Sequence, residues 1–441
     1  MLKRKMYQDL LDWRQNRGEE CLLIKGARQT GKTYLVRRFG DQEYDSFIEI
    51  NFLERPSHKE IFAGDLTAEE ILKQITARIP NVRIIPGKTL LFLDEIQRCS
   101  RARTAMKFLA QNRNIDVIAS GSLLGLHYGQ DADEGVEEIE SIPVGYERSL
   151  TMYSLDFEEF LWGLGYSDEA ILMLRDYFEK EEKVPPELND QYLNLFREYM
   201  VVGGMPEVVA QYAVNKDFGQ VQNIQEKILS DYDDDISNHA RIVEKPKVRN
   251  CYRTIPSQLA RENKKFKYSA VEKKATSRKY ADSIMWLVDA NSINVSNNVH
   301  QPVIPLIGNR NDSEFKAYIN DTGLLMAMYG METKLALLTG KLTGNAKGGI
   351  FENAVSECLI KKGIPLFYYK NKANTQEIEF LIERNGEVTP IEVKAGNAST
   401  KSLNTFIEEK KPAIAYKIVD GNIGRSGTKL TIPHYMAMFV E

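Results

Sequence analysis

The chain has 441 residues, enough for about two to four compact units, and its 43% hydrophobic content is ordinary for a protein with buried cores. A formal net charge of −4 excludes a uniformly basic nucleic-acid coat, though not a local basic face. Four cysteines (Cys21, Cys99, Cys251, Cys358) lie far apart with no C-x-x-C pair, and five scattered histidines form no H-E-x-x-H, which excludes a disulfide framework and a zinc site.

The basic start Met1-Leu2-Lys3-Arg4-Lys5 leads into Asp9, Asp12, Arg14 and Arg17 rather than an apolar stretch, so it does not read as a signal peptide. No apolar run approaches the ~18 residues of a membrane span. A soluble, cytoplasmic protein with no membrane partner is expected.

Residues 1–155 alternate strand patterns (21–25, 46–52, 88–94, 115–120) with helical ones (32–39, 66–78, 102–111), which predicts a mostly parallel sheet covered on both faces. The first strand, Cys21-Leu22-Leu23-Ile24, runs into Gly26-Ala27-Arg28-Gln29-Thr30-Gly31-Lys32-Thr33, which fits the P-loop pattern G-x-x-x-x-G-K-[ST] at every fixed position. A helical pattern, Tyr34 to Phe39, runs out of it. The glycines let the backbone curl so that successive N–H groups face a triphosphate, and the following helix adds its positive end. Lys32 is placed to reach the β- and γ-phosphates of ATP, and Thr33 to hold Mg²⁺.

Further along, Thr89-Leu90-Leu91-Phe92-Leu93-Asp94-Glu95 is an apolar strand ending in two carboxylates, the form of a Walker B strand. Asp94 would bind the Mg²⁺ shell and Glu95 would polarise the attacking water. The strand Phe47 to Phe52 lies between the two motifs, an order that fits P-loop proteins in which an extra strand separates them in the sheet. Asp131 to Glu140 reads as an exposed acidic loop.

Residues 156–240 read as helices, broken at Gly203-Gly204-Met205-Pro206. The carboxylates Asp231, Asp233, Asp234 and Asp235 read as a solvated helix end or turn. Residues 245–280 then carry twelve Lys or Arg against two Glu. Helical patterns followed by a strand-like pair at 292–296 and 302–306 resemble a winged helix, with a recognition helix over 275–287 and a basic face suited to DNA phosphates.

In the last stretch, Ile378-Glu379-Phe380-Leu381-Ile382 turns at Asn385-Gly386 into Pro390-Ile391-Glu392-Val393-Lys394, a predicted hairpin. Glu392 and Lys394 share one strand face, Glu379 lies on the partner strand, and Glu352 opens a helical pattern over 351–361. Glu352, Glu379 and Glu392 are candidate Mg²⁺ ligands, with Glu392 and Lys394 as candidate catalytic residues acting on a phosphate. The P-x-E-x-K spacing resembles the PD-(D/E)xK nuclease core. One departure stands out: the first metal-binding acid of that core is usually Asp, whereas here it is Glu379.

The chain as a whole resembles the prokaryotic AAA-superfamily ATPases that join a P-loop domain to a C-terminal PD-(D/E)xK nuclease-like domain. The residues that carry this are 26–33, Leu93-Asp94-Glu95-Ile96-Gln97, Ser120-Gly121-Ser122, Ser154 to Phe160, Gly203 to Pro206, Tyr318 to Leu324 and Pro390 to Gly396. The resemblance implies ATP binding and a bacterial or archaeal source. It also implies that Ser120 or Ser122 senses the γ-phosphate and that Arg148 is a candidate charge-stabilising finger, with Arg98, Arg101 and Arg103 as rivals.

The expected fold is therefore α/β: a P-loop domain (1–155), a helical lid (156–240), a winged-helix-like basic region (241–330) and a small nuclease-like domain (331–441). The expected function is an ATPase with Lys32 and Glu95 as catalytic residues, coupling nucleotide state to DNA binding or processing. The alternative is a nucleotide-gated switch or scaffold whose C-terminal domain only binds; a third reading is a DNA-binding regulator acting through 245–280.

Overall fold

A computed structural model of the protein describes residues 2–16, 18–122, 145–239, 244–371, 373, 375–396 and 400–441. The expected loop at 131–140 lies outside them. The chain forms two compact units, one spanning Lys3–Tyr153 and the other built from Ser154–Glu441 together with Met1–Leu2.

In the first unit the elements follow as α1 (Met6–Asn16), β1 (Cys21–Gly26), α2 (Lys32–Glu43), β2 (Ser46–Asn51), α3 (Ala68–Arg78), β3 (Thr89–Asp94), α4 (Ser100–Gln111), β4 (Ile115–Ser122) and β5 (Glu147–Thr151). The five strands form one parallel sheet in the order β2-β3-β4-β1-β5. Period-two alternation sends successive side chains to opposite faces. Leu22, Ile24, Leu90, Phe92 and Ile118 pack on one face with Leu10, Trp13, Leu35, Val36 and Phe39 of α1 and α2. Leu23, Ile48, Ile50, Leu91, Leu93 and Val117 pack on the other with Ile71, Ile75, Met106 and Leu109 of α3 and α4. Each such side chain contributes about 1.5–3 kcal/mol on burial, so the two faces lock the sheet and fix the level at which its strands end. The motif-bearing strands β1 and β3 are separated by β4, so both motifs open at the carboxyl edge, where parallel α/β sheets bind ligands.

The second unit begins with α5 (Phe157–Gly163), α6 (Asp168–Lys180), α7 (Pro186–Val202), α8 (Pro206–Asn215), α9 (Phe218–His239), α10 (Lys245–Leu259) and α11 (Ser277–Asp289). It continues through β6 (Ile293–Val299), β7 (Arg310–Ile319), α12 (Thr322–Tyr329), α13 (Met331–Leu338), α14 (Gly344–Lys361), β8 (Phe367–Lys370), β9 (Glu377–Arg384), β10 (Glu387–Lys394), α15 (Lys401–Lys410), β11 (Ala415–Val419), β12 (Gly424–Ser426) and β13 (Lys429–Pro433). The strands form an eight-stranded mixed sheet, β12-β13-β11-β10-β9-β8-β6-β7.

This arrangement corrects one expectation. Of the strand pair read as a wing, 292–296 falls on β6, whereas 302–306 is irregular chain entering a short 3-10 turn at Leu306–Asn309; β6 pairs instead with β7 and, in parallel, with β8. The first strand is therefore part of the large sheet, and no free-standing wing hairpin forms at 292–306. The carboxylates at 231–235 likewise lie inside α9, where Asp233 forms ion pairs with Arg249 and Arg253 of α10, and Asp235 is buried.

Three of the motifs are structural. Asp156 and Glu159 form a reciprocal capping box at the start of α5. Gly204 accepts from Leu155 N at 2.7 Å and donates to Asp321 Oδ2 at 2.8 Å. A Cβ at Gly204 would lie 2.0 Å from Leu155 O, so only glycine fits there. Alongside them Glu357 and Lys361 pair at 2.5 Å in the interior. Tyr199 Oη and the Thr322 N–H and hydroxyl donate to Glu357, and Lys361 Nζ donates to Leu155 O at 2.8 Å. The runs at 154–160, 203–206 and 318–324 thus meet around one satisfied buried network.

Candidate functional site

The P-loop leaves β1 at Gly26, where the chain is squeezed against the end of β5: a Cβ on Gly26 would lie 2.3 Å from Met152 O. The loop then turns through left-handed conformations at Gln29 (φ 62°) and Gly31 (φ 93°), alternation of the kind that gathers backbone N–H groups into an anion-binding nest. Lys32 is almost fully buried, and its Nζ donates to Gly26 O at 3.1 Å and Ala27 O at 2.8 Å. Thr30 Oγ1 also donates to Ala27 O, at 3.0 Å. These bonds hold loop carbonyls while α2 starts at Lys32.

Thr33 Oγ1 donates to Asp94 Oδ2 at 3.0 Å, joining two motifs 61 positions apart. Ser120 Oγ donates to the other oxygen, Asp94 Oδ1. Asn51 Nδ2, from the end of β2, adds a bond to Asp94 Oδ2 at 3.1 Å. Burial pushes the Asp94 carboxyl above its usual range; the Ser120 and Thr33 hydrogen bonds oppose this and the nearby Glu95 adds to it. A buried acid lifted in this way gains most from a cation beside it. A hydroxyl and a carboxylate at 3.0 Å next to an N–H nest are a donor set that suits Mg²⁺ and a triphosphate.

Glu95 follows β3 with φ 56°, and its Oε2 accepts from Gln97 Nε2 at 2.6 Å. Gln97 Nε2 also lies 3.5 Å from Ser122 Oγ, so the residues after β3 and at the end of β4 form one polar chain. Of the candidate arginines, Arg101 donates to Phe62 O and Gly64 O, Arg103 lies 3.8 Å from Glu147, and Arg148 is the second residue of β5, exposed and far along that strand from Gly26.

The C-terminal residues form a second cluster. The hairpin β9–β10 sets Ile391 opposite Phe380, which brings Glu392 beside Glu379. Lys394 Nζ lies 2.8 Å from Glu379 and 3.3 Å from Glu392. Glu352 enters from α14 and is held by Lys264 at 2.9 Å and Lys316 at 3.5 Å. Lys316, on β7, also binds Glu377 at 2.7 Å, and Glu377 binds Lys370 at 2.9 Å. Four glutamates thus face four lysines.

Titration behaviour follows from this pairing. Burial alone would raise Glu377 and Glu352, but the lysines outweigh it: Glu377 falls to about 2 and Glu352 lies below the usual range. Burial likewise opposes the Lys316 charge, and the surrounding acids overcome it. Glu379 and Glu392 are dominated by burial and are raised, Glu392 to about 7. Among the described residues no three His, Cys, Asp or Glu side chains converge to hold a metal ion. Each acid of the expected trio is instead met by a lysine, Glu379 and Glu392 by Lys394 and Glu352 by Lys264 and Lys316.

Asn51, Gln97 and Lys316 were absent from the sequence-level site. Gln97 stood within the Leu93–Gln97 run. Asn51 ends a strand whose register partner is Asp94, a pairing visible only in the sheet. Lys316 lies two residues before Tyr318, a spacing that carries no chemistry until β7 is placed.

Comparison with known proteins accounts for most of the chain in three pieces. Residues 18–161 match a family model described as an AAA domain, while 193–335 and 347–433 match two models described as domains of unknown function. No curated protein matches the sequence. Among solved structures, the Walker-type ATPase PABY2304 of Pyrococcus abyssi is 16% identical, covering 75% of this chain and 96% of its own, with a TM-score of 0.45. The Thermotoga maritima RuvB Holliday junction branch migration motor is 12% identical over 68% and 90%, with a TM-score of 0.28. Drosophila ORC bound to DNA is 15% identical over 74% and 85%, with a TM-score of 0.25. Likenesses this distant carry no argument about activity. The AAA-domain match spans both motifs of the parallel sheet, so this part of the chain is similar to an AAA domain and has the sheet of a P-loop fold.

Proposed function

We propose that the protein binds ATP with Mg²⁺ at the carboxyl edge of the first sheet and hydrolyses it slowly. The observation that carries this is the bond between Thr33 and Asp94, which joins the two motifs beside the N–H nest. Residues 26–33 receive the phosphates, and Lys32 moves from the loop carbonyls to the β- and γ-phosphates. Thr33 and Asp94 are the residues that would hold Mg²⁺, whose role is to neutralise charge on the transferring phosphoryl group. Glu95 orients the attacking water, with Gln97 steadying its carboxylate, and Ser120 and Ser122 report the γ-phosphate. A phosphate-release assay tests this: Glu95→Gln should retain ATP while losing turnover, and Lys32→Ala should lose both. Turnover that survives both changes would refute it.

Nucleotide state is coupled, in this reading, to DNA. Lys267, Lys273, Lys274, Arg278 and Lys279 are exposed within the basic stretch, which suits contact with phosphates. Binding that weakens steeply with salt, and weakens again when Lys273, Lys274 and Lys279 become Ala, is the expected result; salt-independent binding would count against it. For the C-terminal cluster, DNA processing through Glu392 and Lys394 competes with a switch or scaffold whose module only binds. The ion pairs that Lys394 makes with Glu379 and Glu392 and that Lys264 and Lys316 make with Glu352 favour the binding module, because a metal ion would have to displace them.

A further inference from the structure

The Arg4 guanidinium bridges two backbone carbonyls, donating from Nη1 to Thr30 O at 2.9 Å and from Nη2 to Tyr153 O at 2.7 Å. Thr30 lies inside the P-loop, and Tyr153 closes the first unit just after β5. A trans peptide sends its C=O and the next N–H in opposite directions. Whatever holds the Thr30 carbonyl therefore also sets where the Gly31 N–H points.

Several neighbouring carbonyls are held from within the loop and its helix. Lys32 takes those of Gly26 and Ala27, and Leu35 N donates to Gly31 O at 3.0 Å. The Thr30 carbonyl is gripped from a different part of the chain. The Thr30–Gly31 peptide is also the one most in need of a clamp, because it adjoins a glycine at φ 93°, and glycine crosses between backbone regions at little cost. A flip there would remove an N–H from the nest and turn a carbonyl oxygen toward the phosphates.

We infer that Arg4 is a positioning residue of the nucleotide site, locking the Thr30–Gly31 peptide with its N–H toward the phosphates and anchoring that lock on the Tyr153 carbonyl. The inference rests on the nucleotide reading of the P-loop. Arg4 acts through the Gly31 amide, which contacts the phosphates alike before and during reaction. Its loss should therefore appear in KM more than in kcat.

The test uses the full chain, with ATP binding by calorimetry and steady-state hydrolysis in Mg²⁺. Arg4→Met should raise the ATP Kd and KM roughly tenfold, the scale of one charge-assisted hydrogen bond, with kcat changed by less than about twofold. Arg4→Lys, which can reach one carbonyl but not fork across both, should recover part of that affinity. The thermal midpoint of the nucleotide-free variants should stay near that of wild type. An unchanged KM in Arg4→Met, or a lowered midpoint and kcat at unchanged KM, would overturn the inference and leave Arg4 a structural tie. If wild type itself binds no ATP, the nucleotide reading falls first and the role of Arg4 falls with it.

Discussion

Replacing Lys316 by Met probes the C-terminal cluster at its centre. Lys316 is 1% exposed and bridges Glu352 and Glu377 from distances of 3.5 and 2.7 Å, with the Tyr368 ring 5.0 Å away. Methionine keeps the stem and removes the charge. Glu352 would keep Lys264 and Glu377 would keep Lys370, so the loss is partial, toward the low end of the ~3–5 kcal/mol cost of breaking a buried pair. Titration supplies an independent figure. Glu377 is held at about 2 against a reference of 4.5, a shift equivalent to about 3 kcal/mol at most. A depressed carboxyl contributes stability that is present above its unfolded pKa and lost as pH falls through the folded one. Lys316→Met should therefore be destabilised by about 3 kcal/mol near neutral pH and by about 1 kcal/mol near pH 3. Urea unfolding at both pH values, followed by circular dichroism, measures the two gaps. A deficit below about 1 kcal/mol at neutral pH, or one that does not shrink in acid, would refute the paired-cluster reasoning.

Glu392 titrates in the opposite sense. Its carboxyl is raised to about 7, chiefly by burial, so the stability it contributes is full below about pH 4.5 and is lost as pH rises through 7. Glu392→Gln should gain about 2–3 kcal/mol on wild type between pH 5 and pH 8 in the same unfolding assay, and a pH-independent difference would contradict this. In Gly26→Ala the new methyl would press on the Met152 carbonyl at 2.3 Å. Calorimetric titration should show loss of nucleotide affinity, and denaturation a cost of about 1–3 kcal/mol; wild-type affinity would mean the strand ends are softer than they look. Lys361→Met strands the fully buried Glu357 carboxylate. It should cost about 3–5 kcal/mol by chemical denaturation, whereas a neutral outcome would mean water reaches the network.

How much of this was legible beforehand follows from physical range. The P-loop and the strand ending at Asp94 were readable because their chemistry is local: a turn, a helix start and an apolar run each show within a few residues. Strand β5 was missed because Glu147-Arg148-Ser149-Leu150-Thr151 has little apolar alternation, and it earns its place by pairing with β1. The hairpin at 377–394 was readable from Asn385-Gly386, but the sheet that takes in β6 was not, since its pairing with β8 bridges about seventy residues. The same holds for charge. The β9–β10 hairpin placed Glu379, Glu392 and Lys394 side by side as its pattern implied, yet Lys316, Lys264 and Lys370 come from other elements. Those lysines pair with the acids that a metal ion would use.

The most direct measurement is equilibrium binding of ATP with Mg²⁺ to the full chain, comparing wild type with Lys32→Ala by calorimetry. Saturable binding by wild type, weakened at least about a hundredfold in the variant, is what a lysine serving the phosphates requires. Wild type that binds no ATP, or a variant that binds it equally well, would contradict the placement of the nucleotide at residues 26–33.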